Sequence, residues 1–416
     1  MARMINVTTG ADTARFGFRG TDLGFLTPTR HGYTLASFGD TFDGADPNEG
    51  GGWRSPVMLR TSNRDLAAGL RWDNAVGGAR AKQVWDYRHV GENGTVNGTN
   101  FDAFTIIPND VIHLPDGRYM GSGFRVKDWK SGGTQTMCHT LSNAWFYSDQ
   151  RDAEVWHPAR HVNELGRLYE WRNEGKNYLF QNVTLIMVDP TGETDPYVYA
   201  FGTPEGRTVG DRAGIYLRRV DWRRMWDDSA WQFWGWRDGA WQWGEDVYPT
   251  PILGPTLPGT TIGEINAQVI EGQVVLSYVD GWLGTVTRTA PRPDAVWTDP
   301  AVHITYDAAG YQYAPSLHPF STLDEPYVHL SQWGDGFYGS KFWQIGPIER
   351  LSSPNPVPAP EGAVGGVSST DSVEGTSTPT CTDLSALTVD ELAEHVVSTT
   401  DVDPAELADA IARAAK

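Results

Sequence analysis

Two aspartates flank one turn at equal spacing: Asp22 stands nine residues before His31 and Asp40 nine after, inside Gly20-Thr21-Asp22-Leu23-Gly24 and Phe38-Gly39-Asp40-Thr41-Phe42. With Arg30-His31-Gly32 as the turn, an antiparallel hairpin returns both carboxyl groups to one rim. Directly opposed side chains in such a pair have Cβ atoms about 4.5–5.5 Å apart, and like charges there are destabilising. One carboxyl is then expected to keep its proton while its neighbour ionises, which is what acid/base catalysis requires. The alternative use is structural: a bulge turns one aspartate outward to cap a loop. Polar groups also interrupt later apolar strands at Asn109-Asp110, Gln181-Asn182, Glu264 with Asn266, and Tyr311 with Tyr313. Asp110 and Glu264 are the expected further site carboxylates, and Asn109, Asn182, Asn266 and Tyr313 the expected substrate-binding groups. Each of them alone also suits a turn or a strand end.

Aromatic rings are the second chemical resource. The chain has 18 Trp, 16 Tyr and 15 Phe, and residues 222–243 hold seven tryptophans. Apolar sugar faces stack on such rings, so Trp234, Trp236, Trp241 and Trp243 are expected to form a sugar platform; the competing reading is a sheet edge packed on itself. No metal and no cofactor are expected, because the ten histidines show no metal-ligand spacing and no EF-hand loop occurs. Neither a Gly-x-Ser-x-Gly elbow nor a Walker loop is present, which removes the best support for a serine hydrolase or a nucleotidase.

The elements that must position these groups are strands. From Arg15 to Ile348, short β-branched and aromatic runs alternate with Gly, Pro, Asn and Asp at hairpin spacing, an all-β signature. A repeat of strand, polar turn and tryptophan-bearing strand recurs at Leu59 to Trp72, Trp145 to Trp156, Ile215 to Trp231 and Thr285 to Trp297, the tryptophans 84, 75 and 66 residues apart. Each copy follows a hairpin of two inner strands, and a shorter fifth unit begins at Tyr313 and ends near Trp343. Four-stranded units at such periods predict a five-bladed β-propeller over residues 1–350, with the entrances of its inner strands converging on one mouth. Long insertions at residues 73–100 and 164–176 are expected to be walls of the functional face. After Arg350 the composition turns to Ser, Pro, Gly, Val and Thr, predicting a flexible linker over 351–380. A small helical tail over 381–416 should follow, capped at Thr388 and at Asp403-Pro404, and suited to docking or oligomerisation.

Composition narrows the partners. The 416 residues carry 33 Lys+Arg and 52 Asp+Glu, and 33 − 52 = −19, a charge that repels phosphate backbones; nucleic acid is not an expected ligand. No run of 18 apolar residues is present, so membrane insertion is not expected either. Two cysteines, Cys138 and Cys381, exclude a disulfide framework. The N-terminal residues lack the apolar core of a secretory signal, so release without a signal peptide is the expected route.

At its Gly20–Gly24 and Phe38–Phe42 motifs the chain resembles the domain of unknown function numbered 4185, grouped as glycoside hydrolase family 183. The Asn109-Asp110 strand and Tyr313-Ala314-Pro315-Ser316 look like further members of the pattern, and the resemblance covers roughly Arg15 to Ile348. It implies a five-bladed propeller and an endo-D-arabinanase that cuts the arabinan of arabinogalactan and lipoarabinomannan in mycolic-acid bacterial cell walls, with Asp22 and Asp40 as catalytic carboxylates. Members of such families occur in phages, and the linker and tail suit a virion or tail component acting on the bacterial envelope. Carboxyl groups about 5–5.5 Å apart favour retention and about 6.5–9.5 Å inversion, and the hairpin admits both. The competing function is a non-catalytic glycan-binding propeller, an adhesin that attaches a phage tail to its host, and a third reading is a scaffold with only packing tryptophans.

Overall fold

The computed structural model describes residues 2–360 apart from 93, 96–99, 130–136, 165, 211, 335 and 353–356. The helical tail over 381–416, and the linker from 361 onward, lie outside the described residues. The chain is all-β, built of five antiparallel sheets with 3-10 turns and one four-residue α-helix, Tyr306–Ala309, among the described residues.

Four of the sheets follow chain order from an innermost strand outward. Their innermost strands are Leu23–Pro28, Thr105–His113, Asn182–Met187 and Asn266–Ile270. In the fifth sheet, Gln312–Leu317, Tyr327–Gly334 and Phe337–Gln344 are completed by Arg3–Val7 from the other end of the chain. That closing strand was not read from the sequence. The third strands fall on the repeat seen in sequence, and the tryptophans that follow four of them, Trp72, Trp156, Trp231 and Trp297, are all buried.

Hydrophobic packing joins the sheets in a ring. Leu35 and Met58 of the first sheet meet Ile106 and Phe146 of the second, and Met120 and Trp145 of the second meet Val183 and Val198 of the third. Leu217 of the third meets Leu276 of the fourth, and Val275 of the fourth meets Leu330 of the fifth. Tyr327 and Phe342 of the fifth return to Leu26 and Leu59 of the first.

Side chains also stitch the inner strands. A buried backbone N–H without a partner is costly, and strands splayed about a centre cannot bond one another by a regular ladder. Leu185 N donates to Asp110 Oδ2 at 2.9 Å, Ala267 N to Thr184 Oγ1 at 2.9 Å, Leu317 N to Asn266 Oδ1 at 3.1 Å, and Leu26 N to Ser316 Oγ at 2.9 Å. Each acceptor belongs to the sheet before or after in the ring. At the fifth junction the corresponding residue, Phe25, has no acceptor, and Val111 N is taken by Asp110 Oδ1 of its own strand at 2.8 Å.

Candidate active site

The first hairpin brings Asp22 and Asp40 together, but not in the register expected from the sequence. Pro28 pairs with Thr34 and Phe25 with Ser37, which would set Asp22 opposite Asp40; a bulge between Leu23 and Phe25 shifts the pairing by one. Gly39 N therefore donates to Asp22 O at 3.0 Å, and Asp22 faces Gly39. A Cβ on Gly39 would stand 2.3 Å from Asp22 Oδ1, so the missing side chain is the seat of the carboxyl group. The bulge holds Leu23 at φ 59°, a left-handed conformation costly for a branched residue. Ser331 Oγ accepts from Leu23 N at 2.6 Å and Ser340 Oγ donates to Leu23 O at 3.0 Å, clamping it. Gly24, at φ 98°, lies so close to the buried His329 ring that a Cβ would meet its Cε1 at 2.3 Å. The glycines of both motifs thus serve the placement of Asp22.

The two carboxyl groups, each half-buried, have different surroundings. Asp40 Oδ1 accepts from Trp53 Nε1 at 2.8 Å and from Thr105 Oγ1 at 2.6 Å. Asp22 Oδ2 receives a long bond from the Tyr313 hydroxyl at 3.3 Å, the Tyr338 hydroxyl also approaches its carboxyl group, and its Oδ1 has no hydrogen-bond partner among the described residues. Desolvation, the charge of Asp40 and the charge of Glu264 raise Asp22 well above its ordinary value of 3.8; the Tyr338 and Tyr313 hydroxyls only partly oppose this. Asp40 is also raised by desolvation, against Thr105, Trp53 and the charge of His89. Burial thus disfavours the charge of both carboxyl groups, and more strongly that of Asp22.

A second bulge, between Tyr313 and Ser316, puts Ala314 at φ 49° and aims Tyr313 at Asp22. Tyr338 donates to Asp40 O at 3.1 Å. Glu264 is gripped by Arg207, whose Nη2 lies 2.8 Å from Oε2 and 3.0 Å from Oε1; Arg207 Nη1 donates to the Tyr311 hydroxyl at 2.7 Å. Arg207 is itself left-handed, at φ 56°. Asn182, Gln181, Thr140, Arg207 and Glu264 line a depression on this face. The insertion over residues 73–100 contributes His89, whose ring lies 4.2 Å from that of Trp53.

Other expected site residues have different positions. Asp110 is buried in the stitching of the inner strands, where Thr184 Oγ1 also donates to its Oδ2 at 2.7 Å, and burial pushes its carboxyl up to about 7. It borders a separate cavity of about 350 Å³ among the far ends of the inner strands, lined also by His113, Met187 and Phe320. Asn266 is likewise a stitch, and Asn109 donates to Gln181 O at 3.0 Å. Trp234, Trp236, Trp241 and Trp243 correct the expected platform: they belong to Gln232–Arg237 and Ala240–Gly244, the fourth and fifth strands of the third sheet, far from its inner strand. Trp234 is buried in the seam with the fourth sheet and Trp241 and Trp243 pack beside it. The competing reading, a sheet edge packed on itself, describes them. Sequence reasoning missed Trp53, Thr105, Arg207 and Tyr338. Only Trp53 had a local signal, the glycine run of residues 50–52 just after the second motif.

Over residues 8–343 the chain matches the family described as Domain of unknown function (DUF4185), and it belongs to that family. It is similar to Notoamide biosynthesis cluster protein J of Aspergillus sp. (strain MF297-2), 25% identical over 330 residues, 77% of this chain and 81% of that protein. An uncharacterized 35.9 kDa protein of Mycolicibacterium smegmatis is 30% identical over 141 residues, 30% of this chain and 40% of that one. A hydrolase candidate from Bacteroides ovatus ATCC 8483 shares the fold, with TM-score 0.51 and 13% identity over 80% of this chain and 87% of that chain.

Proposed function

We propose that this member of the DUF4185 family is an endo-acting glycoside hydrolase of family 183, a five-bladed propeller that cuts the D-arabinan of arabinogalactan and lipoarabinomannan in mycolic-acid bacterial cell walls. The observation that carries hydrolysis is the unequal pair: Asp22 lies over Gly39 with one oxygen undonated, beside an Asp40 whose Oδ1 takes two donors. Asp22 would protonate the leaving glycosidic oxygen; Asp40 would attack the sugar directly or activate a water. Arg207 and Glu264 hold a fixed ion pair beside them. The propeller reading is supported by the ring of seams and stitches, and the arabinan reading by the resemblance of the two aspartate motifs. On the same resemblance we propose a phage virion or tail, or the outside of the cell, as its location, with cell-wall polysaccharide as its partner.

The test is incubation with purified mycobacterial arabinogalactan and chromatography of the products. Wild type should release short oligosaccharides. Asp22→Asn and Asp40→Asn should each lower the rate by roughly two orders of magnitude or more. NMR of the first-formed anomer separates a nucleophilic Asp40 from a base. Binding without cleavage would instead make the protein an adhesin, and equal rates in both mutants would move the chemistry elsewhere.

A further inference from the structure

The site's own face carries exposed rings that the tryptophan-rich segment does not supply. Trp282 is 58% exposed, Trp333 48% and Tyr311 47%. Large apolar groups left in water on one face mark a binding surface more often than chance exposure does. Their places in the fold put all three at the entrance that holds Asp22. Trp282 sits in the turn after Gln273–Asp280; Asp280 bridges to Ile262 and Gly263 N donates to Val279 O at 2.9 Å, two and one residues before Glu264. Trp333 N donates to Tyr311 O at 3.3 Å, beside Tyr313.

Each exposed ring has an aromatic neighbour. Trp282 lies 6.4 Å from Tyr306, ring centre to ring centre, and the Tyr306 hydroxyl donates to Gly281 O at 3.2 Å, which fixes that ring against the turn. Tyr306 is within electrostatic reach of Arg207, Tyr311 and Glu264. Tyr311 lies 5.8 Å from Tyr313, which donates to Asp22. Trp333 lies 5.8 Å from Tyr338, which donates to Asp40 O. Each exposed ring is thus anchored, directly or through one partner, to a group around the carboxyl pair. Core packing accounts for Tyr313 and Tyr338, which are buried; it does not account for the outer members.

We infer that Trp282, Tyr306, Tyr311 and Trp333 form a stacking rail along the fourth and fifth sheets that seats several consecutive sugars of an extended, uncharged polysaccharide leading into the Asp22–Asp40 site. Rings of this kind bind the apolar faces of sugars while their hydroxyls remain in water. The net charge of −19 disfavours a polyanionic glycan of the same length. The inference rests on the hydrolase reading for the direction of the rail, but its binding arm can be read without catalysis.

Two measurements decide it. In an Asp22→Asn background, affinity electrophoresis in arabinogalactan should show Trp282→Ala and Trp333→Ala each weakening retardation at least tenfold, with no retardation in polygalacturonate. Tyr248→Ala, which removes a ring 63% exposed beyond the third sheet's outer hairpin, is the control and should bind like its parent. In the otherwise wild-type enzyme, the ratio of efficiency on polymer to that on a short arabinofuranoside should fall about tenfold in both Trp variants. If wild type cleaves and the Trp variants bind and cut polymer as it does, the rail is wrong and the hydrolase stands. If wild type binds without cutting and the Trp variants lose binding, the rail stands and the hydrolase falls. A wild type that neither binds nor cuts overturns both, and a polygalacturonate preference overturns the uncharged-substrate assignment.

Discussion

Asp22 and Asp40 differ by what donates to them, and this difference sets two measurable pH responses. Under the proposed mechanism, activity should rise with pH as Asp40 ionises, above its ordinary 3.8, and fall as Asp22 loses the proton it would deliver; the expected profile is a bell. Stability should follow a separate course. Because the folded state raises the pKa of Asp22, its contribution is fully present below the unfolded value and is lost as pH rises through the folded one. Asp22→Asn does not titrate, so it should melt at a higher temperature than wild type at pH 7, and that gain should shrink to nothing by about pH 3, measured by thermal melts across pH. A gain over wild type no larger at pH 7 than at pH 3 would show that Asp22 is not strained by its surroundings. The proximity of the pair was legible from the equal spacing about His31. Its register was not, because a bulge has no signature in residue type beyond Gly24, and Trp53, Arg207 and Tyr338 reach the pair only through the fold.

Strands and their junctions explain the fate of the other polar residues. Asp110, Asn182 and Tyr313 lie in inner strands and Glu264 just before one, and polar residues there have two uses, facing a mouth or capping the N–H groups of a neighbouring strand. Glu264, Asn182 and Tyr313 stand at the strand entrances and face the site; Asp110 and Asn266 lie further in and stitch. Asp110→Ala should therefore act as a structural mutation. It strips the acceptor from Leu185 N, Val111 N and the Thr184 hydroxyl, and should cost roughly 3 kcal/mol or more in urea denaturation, at about 1–3 kcal/mol per buried polar group left unpaired. The specific activity of the folded fraction should stay near wild type; a hundredfold loss with unchanged stability would return Asp110 to the site. The tryptophan repeat was legible for the same reason that the platform was misread. A dense run of rings signals packing and stacking alike, and only the position of a strand within its sheet separates the two.

At the scale of the whole chain, the fifth sheet is completed by the strand Arg3–Val7, which pairs with Phe337–Gln344 and carries Arg3 against Gln344 at 3.0 Å. All five sheets thus lie within residues 3–344, although beyond them Arg350 pairs with Glu271 at 2.8 Å and Trp241 donates to Pro358 O at 2.8 Å. A chain ending after Arg350 should melt close to the full-length protein and cleave soluble arabinogalactan at its rate. One beginning after Val7 should melt roughly 5 °C lower or more, as a lost edge strand of several kcal/mol requires; differential scanning calorimetry reads both. The reverse result would assign closure to the segment after 350. The same pairing also sets an order of events during synthesis. At about 5–20 residues per second, the strand that begins the ring waits roughly 20–70 seconds for its partner to be made. Over that interval the four earlier sheets can assemble in sequence while the fifth seam is open, so the N-terminal strand with its Met4 and Ile5 is an unpaired edge that a nascent chain must keep from its neighbours on the same message.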